Sequence, residues 1–322
     1  MEKIFSNPYV SPLRYPGGKR KLLPLIADLI NRSEPVSLLV EPFAGGASVS
    51  IGLLEAGIVE HIALSDRDEL IAGFWKTVFS KNSKALADKI LSTPVTLDTW
   101  RQLREEIPKT SFEKAYKCLF LNRTSFSGIL KETAGPIGGK KQESKYPIDC
   151  RFNREKIANR IIQLGKLRER VLFVKCQSYH RTIKQIHESL GNRYAESNLL
   201  WYLDPPFFEK ADSLYRYSFS KSSHINFRKS INKLKGRFIL SYDDVPKARA
   251  FYSNNPGFAR VNLAYNARID SKERLLSSEI IVSNIIAALR SEGDFTIPQM
   301  GEIISLYGLE SFEKIRKGYM HF

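Results

Sequence analysis

Apolar positions follow two rhythms along this chain. Short unbroken apolar runs recur at VSLLVE (36–41), HIALSD (61–66), VLFVKC (171–176), LLWYLD (199–204), GRFILSY (236–242) and SSEIIVSN (277–284). Their length and composition predict strands covered on both faces. Between them, apolar residues return at helical spacing in KRKLLPLIADLIN (19–31), with Pro24 near the first turns, and in VSIGLLEAG (49–57), which stops at Gly57. A further helix is predicted over 154–167, and residues 68–121 read as mostly helical and polar. Residues 122–153 break that pattern. This stretch is rich in Gly, Ser, Lys and Arg with aromatics scattered through it, too long for a plain connection and so expected to be functional.

The order strand, glycine turn, helix, strand, acid near the start is that of a doubly wound α/β sheet. No internal repeat or low-complexity linker interrupts it. The predicted organisation is one α/β domain formed by residues 1–67 and 168–290. A helical, basic insertion over 68–167 is expected between its third and fourth strands. A tail, 291–322, receives no role.

Charge narrows the partner. The 322 residues carry 50 Lys and Arg against 34 Asp and Glu, a net +16. An enzyme of small metabolites has little use for that excess, whereas a polyanion explains it. No apolar run approaches the roughly 20 residues that span a bilayer, and no basic amphipathic helix with a broad apolar face is present. Nucleic acid is therefore the expected partner, with no membrane. The N-terminus lacks the basic-then-apolar order of a secretion signal. Cys118, Cys150 and Cys176 are odd in number and widely spaced, as expected of reduced core or near-core thiols in a cytoplasmic protein. The five histidines show no ligand or triad spacing, and no metal site is expected.

Three short motifs carry candidate chemistry. In EPFAGGAS (41–48), glycines after a strand let a ligand approach the backbone, and the next helix offers its positive end. A lone glycine pair is more often a tight turn. Asp66, at the end of the next strand, alters the balance because an acid there can accept from ribose hydroxyls. The pair suggests a nucleoside-bearing cofactor without saying which. RYPGGK (14–19) is weaker: Lys19 could meet an anionic group and Tyr15 a ring, yet the spacing alone reads as a turn.

LLWYLDPPFF (199–208) ends a buried run at one acid, two prolines and two aromatics. Asp204 and a stiff Pro205 carbonyl could accept from both N–H bonds of an exocyclic amine, returning electron density to a nitrogen delocalised into its ring. Pro206 fixes the turn, and Phe207 could stack on a base taken out of the duplex. The competing explanation is a strand-ending turn with core aromatics. Likewise, Arg and aromatics over 123–154 suit phosphate contacts, stacking or wedging, although most Lys-rich stretches are solvated loops.

Taken in order, RYPGGK, EPFAGGAS, Asp66, LNRTSFSGI (121–129) and DPPF (204–207) resemble the Dam-like (alpha-class) DNA adenine-N6 methyltransferases. The likeness extends over roughly residues 11–285. It implies a Rossmann-like mixed sheet that binds S-adenosylmethionine and carries an inserted, mainly helical target-recognition region. By resemblance, Tyr15, Lys19, Phe43, Ala44, Gly45, Asp66 and Asp204 meet the cofactor. Asp204, Pro205, Pro206 and Phe207 hold the adenine. Asn122, Arg123, Ser125, Phe126, Ser127 and Lys131 face DNA.

The sequence departs from the family at several points. Ala47 stands where Gly is frequent, and Phe207 where Tyr is commoner. Tyr179, His180 and Arg181 occupy the place where an acid near the cofactor's adenine is usual. Lys131 stands about where GATC-specific members use Arg; lysine is a poorer bidentate donor, so GATC is not assigned. The expected activity is site-specific methylation of adenine N6 in duplex DNA, by base flipping and direct in-line transfer. The enzyme is expected to act as a monomer, with a separately encoded restriction endonuclease as the remaining partner the resemblance allows. Its rivals are an RNA adenine methyltransferase and an inactive nucleic-acid-binding protein on the same fold. A nicotinamide oxidoreductase ranks third, because its glycine spacing differs and DPPF would go unexplained.

Overall fold

The computed structural model describes residues 10–189, 195–209, 211–265 and 275–293. The N-terminal nine residues and the expected tail beyond 293 lie outside them. Among the described residues seven strands form one sheet: β1 (Val36–Glu41), β2 (Val59–Asp66), β3 (Val171–Cys176), β4 (Leu199–Leu203), β5 (Arg237–Asp243), β6 (Phe258–Tyr265) and β7 (Leu275–Ser283). Their order across the sheet is β3-β2-β1-β4-β5-β7-β6. The pairs from β3 through β5 are parallel, while β7 runs antiparallel to both of its neighbours. This is the expected Rossmann-like mixed sheet. Leu38, Leu39 and Val40 on β1 and Leu199 to Leu203 on β4 are buried, which accounts for their unbroken apolar runs.

One strand escaped the sequence reading. β6 pairs with β7 at the open edge, and its apolar residues alternate with Arg260 and Asn262 instead of forming a run. Such half-strength alternation is typical of a strand with one wet face.

Helices cover the sheet. A 3-10 turn at Lys19–Leu22 leads into α1 (Leu23–Asn31), with Pro24 in its first turn, where a missing N–H costs nothing. α2 (Ser48–Glu55) follows β1. Five helices then fill the interval between β2 and β3: α3 (Glu69–Val78), α4 (Ser83–Ser92), α5 (Leu97–Glu105), α6 (Ser111–Thr124) and α7 (Arg154–Gly165). The helical insertion thus falls between the second and third strands, not the third and fourth. Its start follows directly on Asp66, and β2 and β3 are parallel neighbours, so the whole interval serves as the crossover that parallel pairing demands. Side-chain caps from Asp68, Thr96 and Asn153, and a reciprocal Thr110–Glu113 box, start four of these helices. Phe74, Trp75, Leu86, Trp100, Phe120 and Ile157 share one continuous core with Leu39, Ile62 and Leu64 of the sheet.

The expectation for the cysteines changes in part. Cys118 is buried, but Cys150 and Cys176 are exposed, because one sits in the polar 122–153 stretch and the other at the open end of edge strand β3. Among the described residues no helix is long and apolar enough to cross a membrane.

Residues 10–18 have no regular structure, so side chains must satisfy their backbone. Arg160 on α7 donates to the Val10 carbonyl at 3.0 and 2.7 Å and, at 2.6 Å each, to both carboxylate oxygens of Glu55 at the end of α2. That guanidinium ties the arm, the insertion and the sheet layer together while itself buried. Arg160→Ala strands Glu55 and the Val10 carbonyl without donors; it should destabilise the protein by about 3 kcal/mol, read as a lower urea midpoint.

Candidate active site

Parallel neighbours end on the same side, and here each of four adjacent strands delivers an acid to that edge. Asp66 closes β2, Glu41 closes β1, Asp204 follows β4 and Asp243 closes β5. A cavity of about 230 Å³ opens at this edge, the place where open α/β sheets bind ligands. Its wall includes Tyr15, Lys19, Phe43, Ala44, Gly45, Asp66, Asp204, Pro205 and Pro206, bringing nearly all the expected cofactor and catalytic residues into one chamber. Glu41, Tyr202, Tyr215 and Arg216 join them, none of which was assigned a role from sequence.

The turn after β1 is pinned at both ends. Ala44 N donates to the Ser65 carbonyl at 2.9 Å, and Gly45 N donates to Asp66 Oδ2 at 2.9 Å. Trp75 on α3 reaches under the turn, its indole N–H donating to the Gly45 carbonyl at 2.8 Å. Gly45 has φ +43°, and a Cβ there would lie 2.7 Å from the Tyr15 ring, so only glycine admits that ring. Ala47 adopts φ 47°, which explains why glycine is the easier residue at this point.

The acids are unevenly compensated. Burial raises the Asp66 carboxyl to about 7, helped by Asp68 and opposed by the N–H groups of Gly45 and Asp68. Burial lifts Glu41 further, to about 8, with Ser50 only partly opposing it, and Glu41 Oε2 has no hydrogen-bond partner among the described residues. Asp204 is also raised by burial, but Lys19 pulls the other way.

Lys19 is 2% exposed. Its ammonium lies 2.9 Å from Asp204 Oδ1, donates to the Gly17 carbonyl at 2.9 Å, and stands 4.0 Å from Glu279 Oε2. Burial works against that charge, yet Asp204 and Glu279 outweigh it and the ammonium is held protonated. Ser241 on β5 also donates to Asp204 Oδ1, at 3.1 Å.

Phe207 departs from expectation in its position. It is absent from the cavity wall; its ring packs on Gly17, where a Cβ would come within 2.4 Å of Cζ, with the Lys19 ammonium 5.0 Å from the ring centre. Tyr215 bridges the two aromatic motifs, stacked on Tyr15 at 5.7 Å and edge-on to Phe207 at 5.7 Å. The next residue, Arg216, pairs with Asp68 at 2.8 Å. At the opposite end, Phe43 packs with Tyr179, Phe219 and Phe227, while Gln177, Ser178 and His180 complete the wall. His224 is buried, stacked on Phe208 and bonded to the Tyr242 hydroxyl; no metal-binding group of residues occurs among the described residues.

The expected DNA-facing set divides in two. Asn122 and Arg123 are buried and turned inward. Asn122 accepts from Arg14 N at 2.6 Å and donates to the Arg14 and Gly128 carbonyls at 2.9 and 2.8 Å. Arg123 Nε donates to the Pro12 carbonyl at 2.6 Å. Ser125 is buried and accepts from the Trp100 indole at 3.1 Å. In this structure, then, these three are not surface contacts: the irregular arm that carries Tyr15 and leads to Lys19 needs hydrogen-bond partners, Asn122 and Arg123 at the end of α6 supply them, and Ser125 is taken by the Trp100 indole. Phe126, by contrast, is 67% exposed, next to exposed Ser127 on the turn that follows α6. Lys131 is half-buried and donates to the Asp212 carbonyl.

The family model of the D12 class N6 adenine-specific DNA methyltransferases matches residues 15–269. No curated protein gives a significant match. Among solved structures, an rRNA methylase from Streptococcus thermophilus is similar at 10% identity, over 80% of this chain and 94% of that one, with a TM-score of 0.30.

The buried Glu41 has a measurable signature. Its folded-state value of about 8 lies above the ordinary 4.5, so between those pH values the folded chain holds a proton that the unfolded chain releases. Its contribution to stability is present at low pH and is lost as pH rises through about 8. Glu41→Gln removes that titration. The variant should match the ligand-free wild type near pH 5 and melt progressively higher than it toward pH 9 in scanning fluorimetry.

Proposed function

Because the chain belongs to the D12 class N6 adenine-specific DNA methyltransferase family, we propose that it methylates adenine N6 in duplex DNA from S-adenosylmethionine, on a flipped base, by direct in-line transfer. The observation that carries this reading is that the Asp204 turn and the acids ending β1 and β2 line one cavity.

The residues fit such a cofactor. A methionyl ammonium suits the orphaned, buried Glu41 Oε2, and a ribose diol suits Asp66, already fixed by backbone donors. The aromatic end at Phe43 and Tyr179 suits an adenine ring. Tyr15, Ala44 and Gly45 complete the walls, and Lys19 balances the acids. When bound, S-adenosylmethionine supplies a methyl group on a positively charged sulfur, which departs as a neutral thioether.

The chain's own work is orientation. Asp204 and the Pro205 carbonyl accept from the N6 amino group and favour a pyramidal nitrogen with its lone pair directed at the methyl carbon. Pro206 limits the turn's freedom, and Phe207 beside Gly17 offers a face for the base. Growing positive charge on the nitrogen is stabilised by the surrounding carboxylates. Phe126, exposed on its turn, wedges into the stack at the vacated position, and Ser127 and Lys131 lie on the same DNA-facing side. Asn122 and Arg123 serve DNA only indirectly, by holding the arm, and Ser125 by anchoring the Trp100 indole. A single chain supplies every group named, so the enzyme acts as a monomer. A separately encoded restriction endonuclease is identified by cleavage of the same motif when unmethylated.

Expression in a strain lacking adenine methylation, followed by modification-sensitive sequencing, should reveal one short motif carrying methyladenine throughout. Asp204→Ala should erase it. Unmodified DNA alongside labelled structured RNA would overturn the duplex-DNA assignment. Phe126→Ala should lower turnover about tenfold and weaken the fluorescence rise of 2-aminopurine placed at the target position.

A further inference from the structure

Ser241 is a serine in the middle of an apolar strand, RFILSYD, and it is fully buried. A hydroxyl there needs partners, because a buried polar group left unpaired is costly. The register supplies them. Leu203 on β4 is level with Leu240 on β5, so Asp204 arrives beside Ser241. Ser241 has one hydrogen, and it goes to Asp204 Oδ1 at 3.1 Å. Its contact with the Tyr202 hydroxyl, at 2.9 Å, must then run from Tyr202 to Ser241. The chain is directional, from Tyr202 to Ser241 to Asp204.

Lys19 occupies the other acceptor position of the same oxygen. Oδ1 is thus saturated by two donors, while no donor meets Oδ2 among the described residues. Lys19 alone could not impose this orientation. An ammonium is a nearly spherical donor on a flexible stem, and this one is shared with the Gly17 carbonyl and Glu279. The Ser241 hydroxyl sits on a rigid central strand and has a single direction to give.

We propose that Ser241, itself oriented by Tyr202, is a positioning residue that locks Asp204 Oδ1 and leaves Oδ2 as the oxygen offered to the target amino group. This rests on the reading that Asp204 meets that amino group. A carboxylate free to rotate would offer either oxygen in a spread of directions. Fixing one oxygen removes that freedom before the substrate arrives, where small misalignments cost most.

The charged and titratable groups facing Asp204 are Lys19 from the 3-10 turn, Glu279 from β7, Glu41 from β1, Tyr15 from the arm, Tyr202 from its own strand, Tyr215 from the following loop and Tyr242 from β5. Only Lys19 and the Ser241 hydroxyl favour its ionised form. Removing Ser241 therefore has a consequence beyond geometry: the acid limb of the turnover profile moves to higher pH.

The test compares wild type, Ser241→Ala, Ser241→Thr and Tyr202→Phe, using unmethylated duplex DNA that carries the target motif and labelled S-adenosylmethionine. Ser241→Ala should keep cofactor affinity and KM for DNA within about threefold. It should lower kcat about ten- to a hundredfold, the scale of one hydrogen bond to a charged group, and shift the acid limb upward. Ser241→Thr, which keeps the hydroxyl, should recover most of the loss, and Tyr202→Phe should move both readouts the same way by less. Unchanged kcat and acid limb in Ser241→Ala overturn the proposal, as does a loss with no shift and no recovery in Ser241→Thr. Where Ser241→Ala fails to fold, Tyr202→Phe decides, since it keeps the ring; wild-type behaviour in that variant overturns the proposal. A wild-type enzyme that binds the cofactor and methylates no adenine would instead remove the underlying reading.

Discussion

The buried pair of Lys19 and Asp204 is the constraint around which this molecule is arranged. A lysine this inaccessible persists only because carboxylates surround it, and burial pushes the aspartate toward its neutral form while the ammonium beside it works the other way. Neither charge could be buried alone. The pair joins the irregular N-terminal arm to the end of a central strand, so the arm must be held in place for the strand end to be functional.

Much of the polar chemistry outside the cavity serves that requirement. Asn122, Arg123 and Arg160 spend buried side chains on the backbone of residues 10–14. A segment without its own secondary structure has no other means of satisfying its carbonyls. The insertion therefore helps to build the cavity. The same helical region supplies Trp75 beneath the glycine turn and Asp68 for Arg216 of the loop after the Asp204 turn.

Parallel strand geometry supplies the second ingredient. Because β2, β1, β4 and β5 run the same way, their acids collect along one edge with a single lysine among them. Burial first, and neighbouring acids after it, raise Asp66 and Glu41 toward neutrality. The cluster of acids also makes the chamber receptive to a cationic ligand, whose arrival would supply the missing counter-charge. The excess of positive charge on the chain as a whole serves the other partner, the nucleic-acid backbone.

The sequence by itself determined the parallel strands, the glycine turn, the acids that end the strands and the family, because these are local: apolar run length, turn residues and motif order are written along the chain. It also made the exposed Phe126 and the basic 122–153 stretch legible as candidates. Tertiary structure decided what depends on contacts far apart in sequence. Asn122 and Arg123 are 108 and 111 residues from the arm groups they hold, and no spacing rule connects them. Strand β6 was legible only in part, since one wet face halves its apolar signal. Ser241 looked like a stray polar residue in an apolar strand; only the register of β4 against β5 sets it beside Asp204. Glu41 stands in EPFAGGAS, but the burial of its Oε2 without a hydrogen-bond partner among the described residues is a property of the folded cavity and not of the motif.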